Sequence, residues 1–177
     1  MDPPWTNKSV KRIKPYTTFN ECELLELRIS ELLKESGLLA IWVTNNKKLR
    51  GYVDEVIQSF GLVKVAPCRW LKSGQPICAF QPHHKVPFET FVLACKQSFF
   101  DNYNARIESD FLLISTPSAI HSRKPPLLPM LKAINAINEC TCLELYGRYL
   151  LPNTTTIGFE ALKLQSLRAF KMRQTAG

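Results

Sequence analysis

Directly after Met1 stand Asp2-Pro3-Pro4-Trp5, a carboxylate, two rigid imino acids and an indole. These are the parts needed to hold a flat base and steer its exocyclic amine. The amine of adenine or cytosine is a poor nucleophile because its lone pair is conjugated into the ring. A carboxylate and a backbone carbonyl can each accept one of its N–H groups and so aim the nitrogen at an electrophile. Consecutive prolines fix φ and bring no N–H of their own to compete for those acceptors. Trp5 offers a stacking face, worth ~1–3 kcal/mol per base. Four residues alone are equally compatible with an extended proline turn.

Basic side chains follow at once: Lys8, Lys11, Arg12 and Lys14, then Pro15 and Tyr16. They can neutralise phosphates on either side of a target base, although a charge run is often only a solvated face. The whole chain carries a net charge of +8, with a pI near 9.3, which suits a polyanionic partner. The 177 residues are 45% hydrophobic and 21% charged, the composition of one globular domain. The cysteines at 22, 68, 78, 95, 140 and 142 include no C-x-x-C pair. They read as reduced, mostly buried residues of an intracellular protein. Adjacent His83 and His84 have no cysteine or carboxylate at ligand spacing, so no metal site is expected. No apolar run reaches ~18 residues, so no membrane span is expected, and the acidic, proline-rich start is unlike a signal peptide.

The elements that must position these groups are legible as alternating strands and helices. Thr18 or Asn20 can cap a leucine-rich helix over 21–35, stopped by Gly37. The continuous apolar run 38–44 suits a strand covered on both faces. Asn45 opens a helix over 46–59 that ends at Gly61. Strands are expected over 62–70, 88–96, 110–116 and 142–146, the last ended by Gly147, with a helix over 125–135 opened by prolines. The pattern predicts an α/β sheet sandwiched by helices, with one antiparallel excursion in the middle.

The ordered run Asp2-Pro3-Pro4-Trp5-Thr6-Asn7-Lys8-Ser9-Val10-Lys11-Arg12 resembles the catalytic loop of the eukaryotic adenine amino-methyltransferases named after the 70-kDa subunit of the mRNA methylase. It is most similar to the branch called methyltransferase-like protein 4. Further matches run from Trp42-Val43-Thr44-Asn45 through His84-Lys85-Val86-Pro87-Phe88-Glu89 and His121-Ser122-Arg123-Lys124-Pro125-Pro126 to Leu143-Glu144-Leu145-Tyr146-Gly147-Arg148. The resemblance implies a Rossmann-like S-adenosylmethionine-dependent methyltransferase domain with permuted motif order. It also implies a hydrophobic strand ahead of Asp2, so that residues 1–177 form a single domain lacking its upstream part.

By the same resemblance Asp2, Pro3, Pro4 and Trp5 are catalytic. Asn7, Lys8, Lys11, Arg12, Tyr16, Asn45, His84 and Lys85 contact the substrate. Lys124, Glu144, Gly147, Arg148, Gly158 and Glu160 bind the cofactor, Lys124 by facing its methionine carboxylate. Asn45 has a second reading as a helix cap. Tyr149 and Phe159 stand where the family has asparagines that bond the cofactor's polar groups. The implied activity is methylation of the 6-amino group of an unpaired or flipped adenine in RNA or DNA, in the nucleus, with cytosol or mitochondrion as further compartments. The competing reading is a non-catalytic nucleic-acid-binding or scaffold module on the same fold.

Overall fold

The computed structural model describes residues 1–5, 24–74, 88–118 and 123–163. Within them a four-stranded sheet is built from β1 (Leu38–Val43), β2 (Leu62–Lys72), β3 (Phe88–Lys96) and β4 (Leu112–Ser115). Its order is β1-β3-β2-β4, with β3 antiparallel to both β1 and β2 and with β4 parallel to β2. β3 is therefore the antiparallel excursion that the sequence pattern predicts. A second sheet pairs β5 (Cys142–Leu145) with β6 (Thr154–Ile157) in parallel.

Met1 and Asp2 join the two sheets. The Met1 amine donates to the Ala40 carbonyl at 2.7 Å, and Trp42 N–H donates to the Met1 carbonyl at 3.0 Å. That alternation is the bond pattern of a parallel pair centred on Ile41. On the other side Asp2 N–H donates to the Leu145 carbonyl at 3.3 Å. The tetrapeptide Asp2–Trp5 thus leaves a slot between β1 and β5.

Helices cover both faces of the main sheet. On one face lies α2 (Lys47–Ser59), following the short α1 (Ile29–Leu32). Its Leu49, Val53, Val56 and Ile57 recur at helical spacing and pack on Leu39, Ile41, Val43, Val92 and Ala94. On the other face α3 (Phe100–Asn104) and α4 (Leu127–Ala133) supply Tyr103 and Leu131 to a cluster around Trp42, Trp70 and Phe91. A final short helix, α5 (Phe159–Lys163), follows β6. No described helix is long and apolar enough to cross a membrane.

Several local readings are corrected. The helix expected over 21–35 is a single turn where it is described, Ile29–Leu32. Leu24 and Ile29 are the buried pair, five positions apart, while Leu25 and Leu32 are exposed. That spacing does not fall on one helical face. The cap of α2 is Asn46, whose side chain accepts Lys48 N–H at 3.0 Å, and not Asn45. Among the described cysteines Cys68 and Cys95 are buried but Cys140 is exposed.

Pro67 sits in a strand paired on both sides, a position proline normally avoids. Its carbonyl accepts from Asp110 N–H, so its nitrogen faces the β4 edge. The β4 ladder begins only at Arg69, and no ladder bond is lost at Pro67.

The cap assignment is testable. Asn46→Ala should lower stability by about 1 kcal/mol in chemical denaturation, through the orphaned first-turn N–H groups of α2.

Candidate active site

The segment leaving the Met1 slot and the turns after β5 and β6 converge on one rim. There a cavity of about 330 Å³ is lined by Asp2, Pro4, Tyr146, Gly147, Arg148, Phe159 and Glu160. The Asp2 side chain is 13% exposed, and its Oδ2 lies 3.5 Å from Arg148 Nε. Burial pushes the Asp2 carboxyl above its ordinary 3.8; Lys124, Arg148 and the Met1 amine pull the other way without reversing the shift.

The tetrapeptide is held from below. Trp5 is only 4% exposed, and its indole N–H donates to the Trp42 carbonyl at 2.8 Å. Its ring meets Tyr52 of α2 edge-on at 6.4 Å. The expected stacking face is therefore corrected: Trp5 is a core anchor that fixes the loop, and Pro4 is the neighbour that lines the cavity. Trp5 N–H also donates to the Pro3 carbonyl at 2.8 Å. That acceptor has a competitor after all, and one lone pair remains for a substrate.

Two turns cross at the back of the cavity. Tyr146 adopts φ +62°, which swings the chain out of β5. A Cβ on Gly147 would be driven into Thr156 and Glu144, and one on Gly158 into the backbone of Gly147. Both glycines are demanded by this crossing. Gly147 N–H donates to the Ile157 carbonyl at 3.1 Å and pins it.

Lys124 lies close enough to act on Asp2, but not as a free cation. Its ammonium is ion-paired with Glu89 and lies 5.4 Å from the Trp42 ring centroid. Glu89 also takes Lys72 at 2.5 Å. Burial raises the Glu89 carboxyl, and the two lysines overcome that and hold it below the ordinary range. Glu89 was not read as a site residue, although it closes the His84–Glu89 segment.

Tyr149 is a second residue whose role the sequence did not give. Its hydroxyl donates to the Lys124 carbonyl at 2.6 Å, and its ring lies under the Arg123 guanidinium at 5.2 Å. It straps the Lys124 loop to the turn after β5.

Asn45 makes a bracket. Its amide donates to the Phe88 carbonyl at 3.0 Å, and its Oδ1 accepts from Arg50 at 2.8 Å. Phe159, in contrast, is 73% exposed and presents its ring at the cavity. Asn7, Lys8, Lys11, Arg12, Tyr16, His84 and Lys85 lie outside the described residues.

Comparison with known proteins gives the family. The MT-A70 family model matches residues 1–160. The chain belongs to the MT-A70 family. It is 37% identical over 96% of its length to a Caenorhabditis elegans protein named DNA N6-methyl methyltransferase, covering 46% of that relative. It is 35% identical over 96% of its length to the human N(6)-adenine-specific methyltransferase METTL4, covering 38% of it. A Pyricularia oryzae protein, N6-methyladenosine RNA methyltransferase MTA1, is 29% identical over 99% of the chain and is covered over 49%. The chain thus spans half or less of the length of these MT-A70 relatives.

The crossing of the two turns gives a direct test. Gly158→Ala should force Gly147 aside and destabilise the protein by ~1–3 kcal/mol. Ligand binding at the cavity should fall further than that loss of stability alone accounts for, measured by calorimetry on the folded fraction.

Proposed function

We propose that this chain transfers a methyl group from S-adenosylmethionine to the 6-amino group of adenine in RNA or DNA. The observation that carries the reading is the buried Asp2 carboxylate at the wall of a cavity large enough for a nucleoside-sized ligand. The printed names of the relatives support the same chemistry.

The residues present fit such a cofactor. Behind Gly147 the Glu144 Oε2 and Thr156 Oγ1 atoms are buried without a hydrogen-bond partner among the described residues. Burial also raises the Glu144 carboxyl. A ligand rich in hydroxyl and amino donors would satisfy both atoms. Glu144, Gly147, Arg148, Gly158 and Glu160 would hold it, with Phe159 as an exposed aromatic face. Lys124 would meet a carboxylate only by sharing itself with Glu89. When bound, the cofactor supplies an electrophilic methyl group on sulfur.

The chain's own part is alignment. Asp2 accepts one N–H of the target amine, and the free lone pair of the Pro3 carbonyl accepts the other. Arg148 keeps the carboxylate aimed, and the burial of the Asp2 side chain limits its contact with water. The raised pKa of Asp2 also makes it a better acceptor for the proton the amine sheds than an exposed aspartate would be.

The scaffold alternative draws on the burial of Trp5, which removes one expected base contact. Following labelled methyl transfer to an adenine-containing oligonucleotide separates the two readings. Cofactor and oligonucleotide binding with no transfer would sustain the scaffold.

Asp2→Asn should cut the methyl-transfer rate by on the order of 100-fold or more. Because folding raises the Asp2 pKa, the protonated form is the better accommodated one. Its stabilising contribution is full below the ordinary aspartate value and lost as pH rises through the raised value. At neutral pH Asp2→Asn should therefore melt no lower than the parent, and any advantage should vanish in acid. The acid limb of the parent's pH–rate profile should lie above the ordinary aspartate value, since transfer needs the ionised acceptor.

A further inference from the structure

The first turn of α2 carries Lys47, Lys48 and Arg50 with no acidic residue. Elementary electrostatics disfavours this placement, since cations at a helix N-terminus oppose the helix dipole at ~0.3–1 kcal/mol each. Elsewhere Lys64, Arg69, Lys72, Lys96, Lys124, Lys132 and Arg148 each face a carboxylate. Lys47, Lys48 and Arg50 have none among the described residues; Lys34, Arg106 and Arg123 also have none but stand apart in sequence, whereas these three fall together on one helical turn. Arg50 is nevertheless held in place: its Nη2 donates to Asn45 Oδ1 at 2.8 Å and lies 3.4 Å from Thr90 Oγ1. Both acceptors are neutral, so the guanidinium is oriented without being neutralised.

Two chains of contacts link the patch to the residues beside the cavity. Asn45, which orients Arg50, bonds the Phe88 carbonyl; the next residue, Glu89, pairs with the Lys124 that lies close enough to influence Asp2. On α2 itself, Tyr52 touches Trp5 of the tetrapeptide. An unpaired cationic surface linked in this way to the cavity that takes the base fits the backbone next to that base. We infer that Lys47, Lys48 and Arg50 form a phosphate-binding track for the single strand flanking the target nucleotide, with Asn45 as the residue that positions Arg50. This rests on the proposed function and adds to it where the strand runs. Recognition here is of charge spacing, with no reading of base identity.

The test is fluorescence anisotropy with a labelled single-stranded oligonucleotide carrying one adenine, titrated at several salt concentrations. The parent should bind with a negative log–log salt slope. The triple variant Lys47→Ala, Lys48→Ala, Arg50→Ala should bind about tenfold or more weakly, with a slope shallower by ~2, from ~0.7 per lost phosphate contact. Lys47→Ala/Lys48→Ala should give a proportionate part of that loss and melt no lower than the parent, because it removes charges the helix disfavours. Arg50→Lys should recover part of the affinity lost in Arg50→Ala. A parent that binds and methylates while the variants keep its affinity and salt slope would overturn the track and leave the proposed function standing. A parent that binds no nucleic acid at all would remove the proposed function itself. If the variants lost affinity only for an acidic peptide such as polyglutamate, the patch would belong to a protein partner and this inference would fail.

Discussion

A carboxylate kept in a place that disfavours its charge is the constraint on which the rest of the structure depends. Asp2 is buried where desolvation outweighs the attraction of Lys124 and Arg148. Left to local forces the segment would swing out to water, so the fold must hold it by other means. It does so through the Met1–Asp2 bonds to β1 and β5 on either side and through Trp5 driven into the core beneath. The indole contributes more as an anchor there than it would as an exposed face. Burying it gains apolar area on the order of 25 cal/mol per Å² and satisfies its one donor.

The same constraint explains the charge arrangement around the rim. A cation close to Asp2 eases its ionisation, but a lysine free to move would also collapse onto the carboxylate and block its acceptor atoms. Lys124 is prevented from doing so by Glu89, which Lys72 in turn keeps ionised. Tyr149 then fixes the Lys124 backbone. The effect is a positive field at Asp2 with its ion-pair contact, among the described residues, made by Arg148 at 3.5 Å. The carboxylate is thus left able to accept from a further donor, which is what the proposed function requires of it.

What the sequence made legible follows from how local each signal is. β3 is read over 88–96 and found over Phe88–Lys96, because nine residues of largely apolar chain flanked by polar segments have one reading. α2 is right to within a residue, since Leu49, Val53, Val56 and Ile57 keep a helical period. β6 went unread because Thr154-Thr155-Thr156-Ile157 is short and polar; only its pairing with β5 makes it a strand. α1 was overextended because leucine content imitates a helix even when burial does not follow its period. The Asp2, Gly147, Arg148, Gly158 and Glu160 grouping emerged from motif resemblance. The burial of Trp5 and the grip of Glu89 on two lysines did not, since both are set by partners distant in sequence.

Phe159 shows how a departure from a family pattern can be judged by physics. An asparagine there would offer a hydrogen bond; phenylalanine offers none and stays 73% exposed beside the cavity. Leaving an aromatic side chain in water forgoes ~1.5–3 kcal/mol of burial. Under the proposed function, a flat ligand group lying on that ring would recover part of it, at ~1–3 kcal/mol for a nucleobase. On that reading the cavity offers a non-directional apolar face where an asparagine would offer a directional polar contact. Cofactor affinity can then survive that exchange, while recognition of the polar group bonded by an amide should not, because a stacking face offers no directional hydrogen bond.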